Sequence, residues 1–137
     1  MKTAVIYWSG TGNTEQMASA IAEGAGAELF TISEFSGDIA AYDRIAFGCP
    51  AMGDEVLEES DFEPFFSDVE GTLNGKTIAL FGSYGWGDGQ WMRDWVDRMT
   101  SAGATVVDGE GVICMGAPDA DATAQCEALG ARLASLA

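Results

Sequence analysis

Short apolar runs alternate with amphipathic stretches along almost the whole chain. The runs are continuous rather than alternating, which is typical of strands that are buried on both faces of a parallel sheet. The predicted strands are residues 2–7, 27–32, 44–49, 76–82 and an interrupted last strand at 105–107 and 112–115. Strands that alternate with helices favour an α/β fold in three layers, with a five-stranded parallel sheet covered by helices on both faces.

Four amphipathic stretches lie between or after these strands, and each predicts a helix with one apolar face. The first runs from about Thr14 to Glu23, with Asn13 as its N-cap and with Gly24 and Gly26 near its end. The other apolar faces are marked by Phe62, Phe65, Phe66, Val69 and Leu73, by Trp91, Met92, Trp95, Val96 and Met99, and by Cys126, Leu129, Leu133 and Leu136. The sequence contains no evident linker or repeat, so it predicts a single domain over residues 1–137.

The turn between the first strand and the first helix is rich in glycine and hydroxyl groups, and it reads Ser9-Gly10-Thr11-Gly12-Asn13-Thr14. Its side chains and the free N–H groups of a helix start can donate hydrogen bonds to a phosphate group. It lacks the Lys of a Walker loop and the third Gly of a dinucleotide fingerprint, so a phosphate monoester held by neutral donors fits it better. Taken alone, Thr-Gly-Asn-Thr is also typical of an ordinary N-capped turn.

Two further loops follow predicted strands and differ from ordinary connectors. Residues 50–55 read Pro-Ala-Met-Gly-Asp-Glu, and residues 83–88 read Ser-Tyr-Gly-Trp-Gly-Asp. If the strand order is 2-1-3-4-5, both loops meet the glycine turn at the carboxyl edge of the sheet, where such folds bind ligands.

These two loops carry the groups that a flat aromatic ligand needs. Met52 and Trp86 offer apolar faces to a ring, and Glu55 can accept a hydrogen bond from a ring N–H. An ordinary core or surface position is the alternative for Trp86 and Met52. A phosphate at one loop and a planar ring between the other two describe flavin mononucleotide (FMN) better than a nucleoside triphosphate.

The chain is strongly acidic, with 22 acidic and 6 basic residues and a net charge of −16. This charge repels nucleic acid and anionic membrane surfaces and attracts a partner with a basic patch. Eight acidic residues and no basic one lie between Asp54 and Glu70, which favours a local role in partner binding. A halophilic or merely very soluble surface is the alternative. Arg93, Arg98 and Arg132 lie among carboxylates at helical spacing.

The residue types that are missing exclude several chemistries. The chain has no histidine, which excludes Ser-His-Asp and Cys-His nucleophile systems and histidine-ligated zinc. Cys49, Cys114 and Cys126 lack metal-ligand spacing and predict buried thiols in a reducing cytoplasm. No apolar run approaches the length of a membrane span, and no signal-peptide segment precedes the first strand, so we expect a cytoplasmic protein without a membrane segment.

The three loops together resemble flavodoxins, specifically the short-chain flavodoxins of anaerobic bacteria. The resemblance extends from the first strand to the last helix, and the chain lacks the insertion that marks long-chain members. It is carried by Ser9-Gly10-Thr11-Gly12-Asn13-Thr14, by Ala51-Met52-Gly53-Asp54-Glu55, and by Phe81-Gly82-Ser83-Tyr84-Gly85-Trp86-Gly87-Asp88-Gly89. It implies a flavodoxin-like sandwich with strand order 2-1-3-4-5 and a low-potential one-electron carrier that holds FMN non-covalently. Expected partners are redox enzymes with basic patches, such as ferredoxin-type donors and acceptors, and the carrier is expected to be a monomer.

The resemblance also implies a role for individual side chains. Met52 would lie against the inner face of the flavin, Trp86 would cover the outer face, and Glu55 would meet the ring N3–H. The phosphate would be bound by Ser9, Thr11, Asn13, Thr14 and Ser83, and backbone groups of Gly85, Trp86 and Gly87 would lie near the pyrimidine edge. The full set expected to contact the cofactor is Ser9, Gly10, Thr11, Gly12, Asn13, Thr14, Pro50, Ala51, Met52, Gly53, Asp54, Glu55, Ser83, Tyr84, Gly85, Trp86 and Gly87. Neither a catalytic residue nor a metal ligand is expected.

Two positions depart from the family pattern. Pro50 stands where some relatives use a serine on the phosphate, and proline cannot donate a hydrogen bond. Gly116 stands where some relatives carry a polar residue, so we expect no ligand contact there. Gly53 matches the family pattern, and the resemblance implies that its carbonyl turns toward flavin N5–H on reduction and so favours the semiquinone. The acidic surroundings are expected to disfavour the anionic hydroquinone.

Other functions remain open at this point. A flavin-dependent quinone or nicotinamide reductase on the same fold usually needs extra chain to shape a substrate site. A non-redox phosphate-binding or regulatory module would take up no FMN. Activation of a metalloenzyme is a further alternative.

Overall fold

A computed structural model describes residues 2–52 and 56–135, and its strands form one parallel sheet. The strands are β1 (Thr3–Tyr7), β2 (Glu28–Thr31), β3 (Arg44–Gly48), β4 (Thr77–Tyr84), β5 (Thr105–Val106) and β6 (Val112–Met115). Their order is β2-β1-β3-β4-β5, and β6 also pairs with β4. The predicted order 2-1-3-4-5 is confirmed.

The predicted last strand consists of two short segments that lie along the same neighbour. Strand β5 pairs with the beginning of β4, and β6 pairs with its end. A short 3₁₀ turn, Val107–Gly109, separates them, and Asp108 within it has a φ of 61°. Asp is one of the few residues that tolerate this left-handed conformation, so the interruption is built into the sequence.

Four helices cover the sheet: α1 (Asn13–Ala25), α2 (Phe62–Glu70), α3 (Gln90–Ser101) and α4 (Ala120–Ser135). Successive strand residues point to opposite faces, and both faces are buried. Ile6 and Phe47 pack with Trp95 and the rest of the α2–α3 layer, whereas Val5 packs with Leu129 and the α1–α4 layer. The predicted three layers are therefore confirmed. Within the described ranges, no helix combines the length and the apolar character needed to cross a bilayer.

Candidate functional site

Three loops meet at the carboxyl edge of the sheet, after strands β1, β3 and β4. We refer to them as the first loop (residues 8–12), the second loop (residues 49–57) and the third loop (residues 85–89). The Trp8 N–H donates to the Gly48 carbonyl at 3.0 Å, which joins the first loop to the end of β3. The Ala51 N–H donates to the Ser83 carbonyl at 3.0 Å, which joins the second loop to the end of β4. The convergence that the strand order predicts is present.

The start of α1 differs from the sequence prediction in one respect. Asn13 is not the N-cap but the first helical residue, because Gly12 takes the cap position with a φ of 95° that favours glycine. The side chain of Ser9 provides the acceptor instead, since its Oγ accepts from the N–H groups of Gly12 at 3.1 Å and Glu15 at 3.3 Å. Ser9 therefore satisfies two N–H groups at the helix start, and its hydroxyl can still donate its own proton to a ligand.

A buried hydroxyl pair connects the first helix to β4. Thr14, which is 1% exposed, lies with its Oγ1 3.2 Å from the Oγ of Ser83, and it also accepts from the Ser83 N–H at 3.3 Å. Two predicted phosphate ligands, 69 residues apart in sequence, are therefore in direct contact. Only one of the two hydroxyl protons is used between them, so the pair retains a donor for a ligand.

The second loop presents Met52 at the surface. Met52 and Val56 exchange two backbone hydrogen bonds of 2.8 and 3.0 Å, and the Met52 side chain is 39% exposed. Cys49 at the loop start is buried, and this burial raises the pKa of its thiol to about 12, so the thiol stays neutral. The predicted roles of Gly53, Asp54 and Glu55 concern positions outside the described residues and stay predictions.

The third loop presents Trp86 to solvent. Trp86 is 61% exposed, which excludes a core role for this side chain. Gly87 and Gly89 have φ values of 88° and 92° on either side of Asp88, so glycine is needed for the path of the loop. A large apolar ring held away from the core in such a loop is available to stack on a ligand.

A cleft of about 740 Å³ lies beside the first loop, on the side of β2 and the start of α2. Its lining contains no Lys or Arg and is formed by Tyr7, Trp8, Ser9, Gly10, Gly12, Glu15, Thr31, Ile32, Ser33, Ser60, Asp61, Pro64 and Phe65. Trp8, Asp61 and Phe65 were not among the predicted site residues; Trp8 directly precedes the glycine turn, whereas only the fold brings Asp61 and Phe65 beside it. The cleft does not reach Met52 or Trp86.

The donor set fits FMN. The phosphate monoester matches the N-terminus of α1, the Ser9 hydroxyl proton and the Thr14–Ser83 pair, while the planar ring matches the exposed apolar faces of Met52 and Trp86. Tyr7 donates its hydroxyl proton to Glu15 at 3.1 Å, and burial together with this carboxylate raises the pKa of Tyr7 to about 12. Tyr7 therefore stays neutral and adds no charge beside the phosphate position.

Comparison with known proteins identifies the family. The flavodoxin family model matches residues 5–129. The chain belongs to the flavodoxin family. Flavodoxin from Clostridium beijerinckii is 46% identical over 138 residues, which cover 96% of this chain and 99% of the relative. Flavodoxin from Megasphaera elsdenii is 50% identical over 109 residues, which cover 75% of this chain and 80% of the relative.

A solved structure supports the same conclusion. The solution structure of two-electron reduced Megasphaera elsdenii flavodoxin has a TM-score of 0.82 and 43% sequence identity to this chain, with 98% of this chain and 99% of that chain covered. The present chain is therefore a small FMN-binding electron-transfer protein, and it is an electron carrier rather than an enzyme. The alternatives of a reductase or a metalloenzyme activator are not favoured.

The Glu58 side chain, directly after the second loop, caps the N-terminus of α2. Its carboxylate is buried and accepts from the N–H groups of Ser60, Asp61 and Phe62 at 2.8–2.9 Å. Burial alone favours protonation, but these hydrogen bonds outweigh it and hold the pKa of Glu58 below its usual value. The sequence alone does not reveal this role, because Glu58, Glu59, Ser60 and Asp61 all have side chains that can cap a helix, and spacing does not choose among them.

We expect the Glu58→Gln substitution to lower the free energy of unfolding at pH 7 by about 1–2 kcal/mol, because a charged N-terminal acceptor of α2 is lost. The folded-state pKa is lowered, so this stabilisation is fully present above the unfolded-state pKa of about 4.5 and is lost as the pH falls through the folded-state value. Urea unfolding of the wild type and the variant between pH 7 and pH 3 measures the difference.

The matched control is Glu59→Gln, at an exposed neighbouring carboxylate for which the structure shows no hydrogen bond to another described side chain. It removes the same charge and should change stability by less than about 0.5 kcal/mol. Equal effects of the two substitutions at pH 7, or a Glu58 effect that persists at pH 3, would contradict the capping role.

Proposed function

We propose that this flavodoxin holds FMN non-covalently, with the phosphate at residues 9–14 and Ser83 and the ring between Met52 and Trp86. One observation carries this assignment: the Thr14–Ser83 contact joins the first turn of α1 to the end of β4, directly before the loop that exposes Trp86. A phosphate donor set and an aromatic platform are thereby fixed to one rigid edge of the sheet. Asn13, Thr11 and the predicted residues of the second loop complete the proposed site.

The proposed phosphate site contains no fixed cation. The helix-start N–H groups and hydroxyls supply directed donors, and the positive end of the helix dipole favours the anion. Gly10 leaves room for the Trp8 ring, since an added Cβ would lie 3.0 Å from it. A neutral cradle holds the phosphate without placing a cation beside the ring.

Bound FMN supplies the one-electron chemistry, and the protein tunes it through the surroundings of the ring. Met52 and Trp86 exclude water from the ring faces, which lowers the local dielectric constant. The net charge of −16 raises the free energy of any negative charge added to the ring. We therefore expect a low reduction potential.

Six carboxylates of the acidic stretch between Asp54 and Glu70 are described: Glu58 is buried and caps α2, and the other five form two groups. Glu63 and Glu70 on α2 form ion pairs of 2.8 Å with Arg98 on α3, and the Arg98 hydrogen bonds hold the pKa of Glu63 below its usual range. Glu59, Asp61 and Asp68 are exposed, and the structure shows no ion pair between them and a described residue. The first group stabilises the packing of α2 on α3, and we assign the second group, the docking carboxylates, to the binding of a basic partner.

Replacing the docking carboxylates together (Glu59→Gln, Asp61→Asn and Asp68→Asn) should slow electron transfer to a redox partner with a lysine-rich surface by about tenfold at low ionic strength. The rate of the variant should also depend less steeply on salt, because fewer charges steer the encounter. Stopped-flow measurement of the FMN-loaded protein with a lysine-rich c-type cytochrome over a range of salt concentrations tests this.

The matched control removes the same charge from the opposite face of the sheet, through Glu23→Gln, Asp121→Asn and Glu127→Gln on α1 and α4. A uniform effect of net charge would slow both triple variants equally. Such a result would leave the acidic stretch as a feature of solubility alone.

We also propose that the protein acts as a cytoplasmic monomer with one FMN domain. Cys49 and Cys126 are buried as predicted, whereas the prediction of a buried thiol is wrong for Cys114, which is only partly buried because it lies on the edge strand β6. All three are free thiols, which supports a reducing compartment. Among the exposed large apolar side chains, Met52, Val56 and Trp86 lie at the proposed cofactor edge, where a second subunit would obstruct a redox partner.

A further inference from the structure

The ladder between β3 and β4 changes partners at the proposed ring site. The Cys49 N–H still donates to the Phe81 carbonyl at 3.2 Å, as in a continued parallel ladder. The next ladder bond would run from the Ser83 N–H to the Cys49 carbonyl. The Ser83 N–H donates to Thr14 Oγ1 instead, at 3.3 Å, and the Cys49 carbonyl accepts a hydrogen bond from the indole Nε1–H of Trp91 at 3.2 Å.

Trp91 contacts the first residue of the second loop and the residue that directly precedes the third loop. It is 2% exposed and lies in the first turn of α3, directly after the third loop. Its indole bonds to the carbonyl at which the second loop begins, and its ring centroid lies 5.5 Å from that of Tyr84, the last residue before the third loop. Gly82 leaves room for this arrangement, because an added Cβ would lie 2.2 Å from the Cys49 oxygen.

A planar ring between two side chains needs a fixed gap of about 7 Å, which is two layers of carbon contacts at about 3.5 Å each. Met52 lies three residues after the carbonyl that Trp91 holds, and Trp86 lies two residues after Tyr84. We propose that Trp91 is a positioning residue that sets the separation of Met52 and Trp86 and thereby the affinity for the flavin ring and its reduction potential. This role rests on the proposed ring site.

The chain provides a matched control for the indole N–H. Trp95 lies one turn further along α3, is 1% exposed and packs against Phe62 and Phe66 at centroid distances of 5.5 and 5.6 Å. Its Nε1 has no hydrogen-bond partner among the described residues. Trp95→Phe therefore removes a buried indole from the same helix without removing a bond to either loop.

We expect Trp91→Phe to raise the dissociation constants of FMN and riboflavin by the same factor, about fivefold, as for the loss of one hydrogen bond of ordinary strength. The factor should be the same for both flavins because the substitution changes the binding site of the ring, which FMN and riboflavin share, and leaves the phosphate site unchanged. The potential of the second reduction step should rise, since a looser gap admits water that solvates the added negative charge. Trp95→Phe should leave both dissociation constants within about twofold of the wild type, while lowering stability through lost packing.

A second readout does not need the cofactor. In the protein without FMN, the Ala51 amide, which donates to Ser83, should exchange with solvent several-fold faster in Trp91→Phe and at the wild-type rate in Trp95→Phe. If Trp91→Phe does not fold, 3-benzothienylalanine at position 91 keeps the bicyclic shape and replaces the N–H with sulfur. If flavin affinity and Ala51 exchange are unchanged in a folded variant at position 91, whether Trp91→Phe or 3-benzothienylalanine, the proposal is overturned. A loss of FMN affinity with riboflavin affinity unchanged would also overturn it. A wild-type chain that binds neither flavin would overturn the proposed site itself, whatever the exchange rates are.

Discussion

The Trp86→Ala substitution is expected to raise the dissociation constant of FMN by about 30-fold, which corresponds to the loss of one stacked aromatic face. Trp86 is largely exposed, so its removal should change the stability of the FMN-free protein by less than about 0.5 kcal/mol. Riboflavin should lose affinity by the same factor, because it shares the ring and lacks the phosphate. The FMN affinity of Trp86→Phe should lie between those of the wild type and Trp86→Ala, since phenylalanine retains a smaller aromatic face. Quenching of flavin fluorescence on binding measures the affinities of the wild type and both variants for FMN and riboflavin.

Leu29→Ala is the control for this prediction. Leu29 is exposed to a similar degree as Met52 but lies on β2, outside the three loops. It should leave flavin affinity unchanged. A Trp86→Ala protein that binds FMN as tightly as the wild type would show that the ring does not lie against Trp86.

The Thr14→Val substitution is expected to discriminate between the two halves of the cofactor. Valine has nearly the shape of threonine but leaves the N–H and hydroxyl of Ser83 without their partner. The pair also loses one hydroxyl donor, and a hydrogen bond to a charged group contributes about 1.5–3 kcal/mol, so FMN affinity should fall about tenfold or more. Riboflavin affinity should change less than about threefold, because the ring loops keep their own contacts. Isothermal titration with both flavins gives the ratio.

The conservative variant Thr14→Ser keeps the hydroxyl and should restore most of the FMN affinity. Thr100→Val is the control, since the one partner of Thr100 Oγ1 among the described residues is the Val96 carbonyl, on the exposed side of α3. Equal losses for FMN and riboflavin in Thr14→Val would place the Thr14–Ser83 pair at the ring and contradict the phosphate assignment.

Much of the fold could be predicted from the sequence because the buried parallel strands are continuous apolar runs. Residues 44–49 and 76–82 predict the two central strands almost to their ends. The cap of α1 was wrongly assigned to Asn13, because sequence preference favours Asn and does not reveal that Gly12 adopts a positive φ one residue earlier. Local chemistry was predicted better than local geometry.

Contacts between distant elements could not be predicted from spacing. The ion pairs of Arg98 reach Glu63 and Glu70 on another helix rather than carboxylates on its own helix. The bond from Trp91 to Cys49 spans 42 residues and needs the tertiary fold to exist. The sequence predicted which loops meet, whereas the side chains that hold the loops together required the structure.

The absorption spectrum of the FMN-loaded protein during stepwise reduction tests the central claim most directly. An electron carrier of this kind should bind one FMN per chain, turn from yellow to blue as the first electron and a proton are added, and become pale with the second electron. A chain that takes up no FMN, or one that bleaches in a single step without a blue form, would contradict the assignment as a one-electron carrier.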